Sequence, residues 1–316
     1  LSEDWANKMW QKFEFFSGYG FNKSHAVSYS IISFQCAWLF NYYPAEWMAA
    51  FLDKEPESRK EKAINIAKKF GFNIDPVNIN KSMADWTIDE DSKTLIQPLT
   101  SIKGLGEKAI EQIIEHRPFN TVEELLFNKE ITYSKLNKKA IDVLIKAEAL
   151  PNLMDERFNN LKHFWTVVAE NRPKTKKKLA ELVEEHKDIE DFTRDEYIET
   201  KVNITGIFPF KLVMSEDIIQ RLQYFKVPTI SEWDTALGVG WFIPREVIKR
   251  KTTKGRPYYV IRTIDKNSVA TDIRCWGVDP TRDKIFVNRP YMAKLNFDEQ
   301  WGFSSRRGLS DWKLLG

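Results

Sequence analysis

Cysteine is scarce in this chain: Cys36 and Cys275 are the only two in 316 residues, far apart and each inside an apolar segment. That spacing gives no disulfide framework and fits a reducing compartment. Four scattered histidines leave a structural zinc site almost without candidate ligands. No charge-free apolar run reaches the length of about 18 residues that a membrane span requires, so no membrane partner is expected. Glu3, Asp4 and Lys8 break up any apolar stretch at the start, so a secretory leader is not expected either. Net charge is small as well. The 48 basic and 45 acidic side chains leave +3, which excludes a uniformly basic, DNA-coating protein. The cations are clumped, though, from Arg172 to Lys178 and from Lys249 to Arg256, and clumping matters more for phosphate contact than the sum.

The chain is long enough for about two domains, with 42% hydrophobic and 29% charged residues, as in ordinary globular proteins. Its first residue is leucine, which fits a processed product or the later portion of a longer polypeptide. From Asp4 to about Asp53 the pattern is helical. Trp5, Met9, Trp10, Phe13 and Phe16 form a stripe expected to pack into a core. Gly18 and Gly20 permit a tight turn. Lys23, Ser24 and His25 then stand at a helix start, where unpaired amides and the helix dipole favour phosphate. The apolar run from Ala26 to Phe40 is expected to be a mostly buried helix, and Pro44 suits the first position of the next. Residues 54 to 70 read as a surface helix with Ala63, Ile64, Ile66, Ala67 and Phe70 facing inward and Gly71 as its stop.

Leu99-Thr-Ser-Ile-Lys-Gly-Leu-Gly-Glu-Lys-Ala-Ile110 has the pattern of a helix-hairpin-helix. Gly104 and Gly106 permit a short turn, Leu105 anchors it, and the next helix start presents amides to DNA phosphates beside Lys103 and Lys108. Such contacts hold DNA without reading its sequence. Leu136 to Ile145 is a weaker second copy without paired glycines, expected to pack on the first, with Lys135, Lys138 and Lys139 still able to face phosphate. Residues 151 to 200 are helical and charged, and the basic run at Arg172 to Lys178 is most simply a solvated helix start. The last third changes period: Gly240 to Lys249, Pro257 to Ile264, Val269 to Trp276 and Asp283 to Leu295 read as strands. Lys249, Arg250, Lys251, Lys254 and Arg256 charge the first hairpin. Trp276, Phe286 and one of Tyr258 and Tyr259 supply stacking faces, since alternation turns only one of those two tyrosines outward.

Gly18 to His25, the aromatic helix after it, Tyr43 to Met48, and the Gly71 to Asn80 segment together resemble the C-family replicative DNA polymerases of the bacterial DNA polymerase III alpha type. The resemblance implies an α+β multidomain fold: the C-terminal part of the fingers over 1–94, a helix-hairpin-helix region with a charged helical linker over 95–199, and a small β-barrel of the OB type over 200–316. OB barrels take single-stranded nucleic acid by stacking and charge. It implies roles too. Lys23, Ser24 and His25 would face the incoming nucleotide's phosphates or the templating region, the hairpin would hold duplex DNA, and the OB module would lie near the single-stranded template. Polymerisation needs carboxylates converging on magnesium ions. In this family they belong to the palm, and nothing in the sequence resembles its aspartate motif. Asp89 and Asp91 read as a solvated turn. The chain is therefore expected to be inactive alone, with no cofactor of its own, Mg²⁺ at the palm of the complete polymerase, and a cytoplasmic location. A sliding-clamp contact through Trp312 to Leu315 is one option and its absence another. Gln35 to Phe40, superficially like a clamp-binding peptide, is expected to be buried. Thr205-Gly-Ile-Phe-Pro209 lacks the family's histidine, which suggests a phage or otherwise streamlined member. A stand-alone nucleic-acid-binding adaptor and a scaffold in a replication complex are the other classes the composition admits.

Overall fold

The structure, a computed structural model, describes residues 2–19, 23–56, 59–266 and 269–315. Four helices come first: α1 (Glu3–Tyr19), α2 (Lys23–Tyr42), α3 (Pro44–Lys54) and α4 (Lys60–Lys69). Three short strands follow, β1 (Asn73–Asp75), β2 (Thr87–Ile88) and β3 (Thr94–Ile96), with β3 between a parallel β1 and an antiparallel β2. Pro44 occupies the first turn of α3 as expected, and Ala45, Met48, Ala49 and Leu52 recur at helical spacing on its inner face. They pack with Ala63, Ile64 and Ala67 of α4 and with Trp86 and Leu95. Gly71 ends α4's segment at φ +88°, a conformation that suits glycine. Phe70 departs from the expectation. It is exposed, with its ring edge-on to Phe40.

The larger departure is in the first two helices. No described side chain of α2 is buried, and Val27, Tyr29, Ile31, Ile32, Phe34 and Trp38 all lie open. Gln35 to Leu39, expected inside, is likewise exposed apart from a half-buried Cys36. Trp5, Trp10 and Phe13 of α1 are also exposed, in contrast to the core position expected for them, and the Phe16 side chain lies outside what the structure describes. Apolar periodicity states that a face must be covered, not by which polypeptide. Gly20 and the rest of the expected turn before Lys23 lie outside the described residues.

The main core is formed by α5 (Glu107–His116), α6 (Val122–Phe127), α7 (Lys138–Lys146), α8 (Leu161–Trp165), a π-helical turn over Thr166–Asn171, and α9 (Lys176–Glu185). Phe119, Leu136, Ile141, Leu144, Phe164 and Val168 are fully or almost fully enclosed there. Next, α10 (Arg194–Thr205) starts with a capping box between Thr193 and Glu196 and stops at Gly206, φ +71°. This helix ties the parts together. Lys201 Nζ donates to Ala147 O (2.9 Å) and pairs with Glu148 (2.8 Å), Ile204 O accepts from Lys103 N (2.8 Å), and Phe208 N donates to Glu61 Oε1 (3.3 Å). The expected boundaries 94/95 and 199/200 fall inside β3 and α10 respectively.

After α11 (Phe210–Val213) and α12 (Glu216–Tyr224) come β4 (Val239–Lys251), β5 (Pro257–Ile264), β6 (Ala270–Trp276), β7 (Tyr291–Lys294), β8 (Asn296–Asp298), β9 (Gly302–Ser305) and β10 (Trp312–Leu314). They form one curled sheet, a half-barrel in the order β10-β7-β4-β5-β6-β9-β8. The curl comes from β4. A register shift between Pro244 and Glu246 bends it, so that its first residues pair with β7 and the rest with β5. This is the OB-like β domain expected after the helical region. The expected strand over Asp283 to Leu295 shrinks to Tyr291–Lys294, because Asn288 at φ +57° and Pro290 hold the preceding segment out of the ladder.

Candidate nucleic-acid interface

The glycine hairpin is on the surface. Lys103, Gly104, Gly106, Glu107 and Lys108 are all exposed, while Leu105 between them is buried together with Leu99 and Ile102. Leu105 thus anchors the turn as expected. Only a single 3-10 turn, Leu99–Ser101, precedes the hairpin instead of a full helix, since β3 and Pro98 take up the chain immediately before it. Gly104 sits at φ +89°, and a methyl group there would touch Lys139 Cε and Val143 Cγ1 at 3.5 Å. Gly106 has an ordinary backbone, φ −78°, and a methyl group there would meet nothing within 4 Å. The two glycines therefore do different work: Gly104 makes the turn, and Gly106 keeps the approach to it open.

Gly106 is the N-cap of α5 and offers no side-chain acceptor. The amides of Gly104, Gly106, Glu107 and Lys108 donate to no partner among the described residues, whereas Lys103 N is held by Ile204 O. Unpaired N–H groups next to a helix start favour anions. Lys139 belongs to this surface too. Its stem lies over Gly104, so the second, weaker copy (Leu136 to Ile145) packs on the hairpin and brings another ammonium near it. In that copy Asn137 caps α7 by accepting from Ala140 N at 3.0 Å. Its amides are thereby less available than those at α5. The basic run divides: Arg172, at φ +41°, faces inward, donating to Leu136 O (2.5 Å) with its guanidinium 4.0 Å from the Tyr133 ring centre. Burial lowers its pKa. Sequence reasoning had no means to separate this structural arginine from the solvated lysines after it.

On the half-barrel, register settles which tyrosine faces outward. Arg250 pairs with Tyr258 and Tyr258 with Trp276, which places these three in one row on one face. The Tyr258 and Trp276 rings stack at 4.4 Å with 25° between planes. Tyr259, in the alternate row with Cys275, is core, and burial raises the pKa of both, the Cys275 thiol to about 12. Lys249, Arg250, Lys251, Lys254 and Arg256 are exposed around Gly255 (φ +75°) and form no ion pair among the described residues. Phe286 is exposed. Trp312 to Leu314 is the strand β10, its indole packed edge-on against Phe242 and Tyr291, so this segment is part of the sheet and not a loose peptide.

Lys23, Ser24 and His25 form the exposed first turn of α2, the imidazole 4.3 Å from the Tyr29 ring and Ser24 O accepting from Ser28 Oγ (2.9 Å). The acidic turn is occupied structurally: Asp91 accepts from Lys93 N (2.9 Å), Thr94 N (2.8 Å) and Thr94 Oγ1 (2.8 Å), which lowers its pKa. Among the described residues no three acidic, histidine or cysteine side chains converge as metal ligands. Among the described residues no donor set fits magnesium. No described helix is long and apolar enough to cross a membrane.

Together these surfaces define an α+β protein built on a helix-hairpin-helix motif with a curled β domain behind it. Residues 71–160 match the family model described as a helix-hairpin-helix motif. The chain is 34% identical to DNA polymerase III subunit alpha of Pseudomonas aeruginosa over 178 residues, 54% of this chain and 15% of that protein. The corresponding subunit of Vibrio cholerae is 36% identical over 157 residues, 48% of this chain and 13% of the relative. That of Aquifex aeolicus is 26% identical over 317 aligned residues, 94% of this chain and 26% of the relative. The chain is thus a homologue of DNA polymerase III alpha subunits and spans about a quarter or less of their length.

Proposed function

We propose that this chain is the DNA-holding portion of a replicative DNA-directed DNA polymerase, working in DNA replication with a palm that lies upstream or on another chain. The observation that carries the reading is the exposed Gly104–Gly106 turn, whose unpaired amides stand beside Lys108. Duplex phosphates bind there. The Arg250, Tyr258 and Trp276 row, with Lys249, Lys251, Lys254 and Arg256 around its hairpin, takes single-stranded template in the manner of an OB fold. Lys23, Ser24 and His25 face the phosphates of the incoming deoxynucleoside triphosphate at the end of the fingers. The open apolar faces of α1 and α2 support this arrangement, because a fingers domain completed by another part of the polymerase would cover them. The nucleotidyl transfer itself, with its Mg²⁺, belongs to the palm, and this chain by itself is catalytically inactive. It works in the cytoplasm of a bacterium, or of a host if the polymerase is a phage one.

The test is reconstitution. The chain alone should bind duplex and single-stranded DNA with affinity falling on the order of a thousandfold between low and moderate salt, and should extend no primer. Supplying the palm-bearing polypeptide should restore extension. A nucleic-acid-binding adaptor would bind DNA but restore nothing, and a scaffold would show no salt-sensitive DNA binding at all. Either outcome sinks the proposal.

A further inference from the structure

α12 lies across one face of the half-barrel, with Leu222 as its one buried side chain. Cross-strand register places Trp241, Met292 and Lys313 in one row beneath it. Val239 and Leu315, two residues along from Trp241 and Lys313, share that face. Between helix and sheet runs a groove of about 610 Å³ with an apolar floor that includes Ile218, Leu222, Val239, Met292 and Leu315, and Phe225, 70% exposed, at its mouth. Every charged side chain on its walls is a cation: Arg221, Lys226 and Lys313. Arg221 is paired with Asp217 at 2.8 Å, while Lys226 and Lys313 form no ion pair among the described residues. A second groove of about 510 Å³ shares Leu222 and Lys226, adds Lys68 and Lys266, and again contains no carboxylate.

Among the described residues the same place has an open strand edge: β10 is an outermost strand whose one partner is β7. Leu315 N donates inward to Pro290 O at 2.8 Å, so by the alternation of a strand the N–H and C=O of Leu314 point to the open side. A strand added there would set every second side chain on the face that carries Met292 and Lys313, over the groove. We propose that this surface docks an extended peptide of another protein, added beside β10, whose groove-facing side chains, every second residue, combine apolar residues with aspartates or glutamates. The open backbone groups select a strand, the floor selects its apolar side chains, and the cations select carboxylates. A second copy of this chain pairing through β10 would set lysine against lysine. Nucleic acid gains little from the aliphatic floor. This docking is independent of the hairpin's contact with DNA.

Ribosome display of a random twelve-residue peptide library against the full chain tests the proposal. Enriched peptides should carry apolar and acidic residues two positions apart, so that both fall on the groove-facing side of the strand. Their affinity should fall at least tenfold for the exposed-lysine variant Lys226→Glu/Lys313→Glu and for Met292→Trp, which fills the groove. Hydrogen exchange at the Leu314 amide should slow when such a peptide is bound. Duplex DNA binding should not change in the lysine variant, which also keeps the test decisive if Met292→Trp fails to fold. The idea is overturned if no peptide is enriched, if the enriched set lacks carboxylates or ignores the charge reversal, or if the Leu314 amide is unaffected. Displacement of the peptide by a single-stranded oligonucleotide or by phosphatidylserine vesicles, or self-association of the chain through β10, would also overturn it by naming a different occupant.

Discussion

Replacing Gly106 by valine separates phosphate binding from folding. The site is open, since a methyl group there meets nothing within 4 Å, and its backbone at φ −78° is one that valine adopts readily. The structural cost is that of a poorer N-cap, roughly 1 kcal/mol. The functional cost is larger. Valine's methyls stand where a phosphate oxygen must approach the amides of Gly106, Glu107 and Lys108, and a hydrogen bond to a charged group contributes about 1.5–3 kcal/mol. Duplex affinity should therefore drop about 10- to 150-fold per bond lost. Amides carry no counterions, so the dependence of log K on log salt should keep its slope, whereas Lys108→Ala should lower that slope by about 0.9. Gly104→Val behaves differently. A residue with a Cβ costs roughly 1–2 kcal/mol at φ +89°, and valine's branches press on Val143 and Lys139, so this variant should lose stability first. Fluorescence anisotropy on a labelled duplex across a salt series, paired with thermal unfolding, reads both quantities. Unchanged duplex affinity for a folded Gly106→Val protein would reduce the hairpin to a packing element.

Three further outcomes follow from the same reasoning. Tyr258→Ala should weaken single-stranded DNA binding by about 1–3 kcal/mol with little effect on stability, because its ring stacks on Trp276 at the surface; Tyr259→Ala should instead unfold the sheet, and equal effects on DNA from both would contradict the assignment of faces. Lys23→Ala should slow nucleotide incorporation by the reconstituted polymerase while duplex affinity stays constant, and equal incorporation rates would remove this lysine from the nucleotide site. Arg157 is bonded to Glu123 and Asp155, both at 2.7 Å, and holds both carboxyls below their ordinary 4.5 and 3.8. Depressed carboxylate pKa values add stability above the unfolded values that disappears as pH falls through the folded ones. Arg157→Met should cost about 1 kcal/mol at pH 7, a modest figure because the trio is part-exposed, and clearly less at pH 3; equal losses in urea unfolding at both pH values would refute the linkage.

Local chemistry was legible in the sequence, and partnership was not. Leu105 between two glycines announced both the turn and its anchor, because left-handed backbone and a buried side chain leave direct marks on residue choice. Gly71 and Pro44 marked helix ends for the same reason. Tyr258 and Tyr259 could be told apart only through pairing with Arg250, Trp276 and Cys275, which is a long-range fact. Lys139 joined the hairpin surface through the packing of α7 on Gly104, as the expected packing of the second copy on the first implied. The exposure of α2 is the most instructive miss. Its composition demands burial, and the described residues do not supply it, so the sequence shows that a face must be covered without showing what covers it.

α10 gives the surfaces proposed to bind phosphate a common frame. Its Ile204 carbonyl holds the amide of Lys103 at the hairpin, its Lys201 holds the end of α7 through Ala147 and Glu148, and the Phe208 that follows reaches Glu61 beside the first helices. Phe208 also lies under Arg245 of β4, with the guanidinium 4.5 Å from its ring centre. One short segment thus contacts the first helices, the hairpin core and the half-barrel. Two modest DNA sites held in a fixed relation bind as one, because the second contact forms at the effective concentration set by the frame instead of the bulk. Loosening the frame should therefore weaken binding to a primer-template that engages both sites more than binding to duplex or single strand alone. Lys201→Ala removes the tie to α7 without touching either surface, which makes it the variant in which that difference should appear.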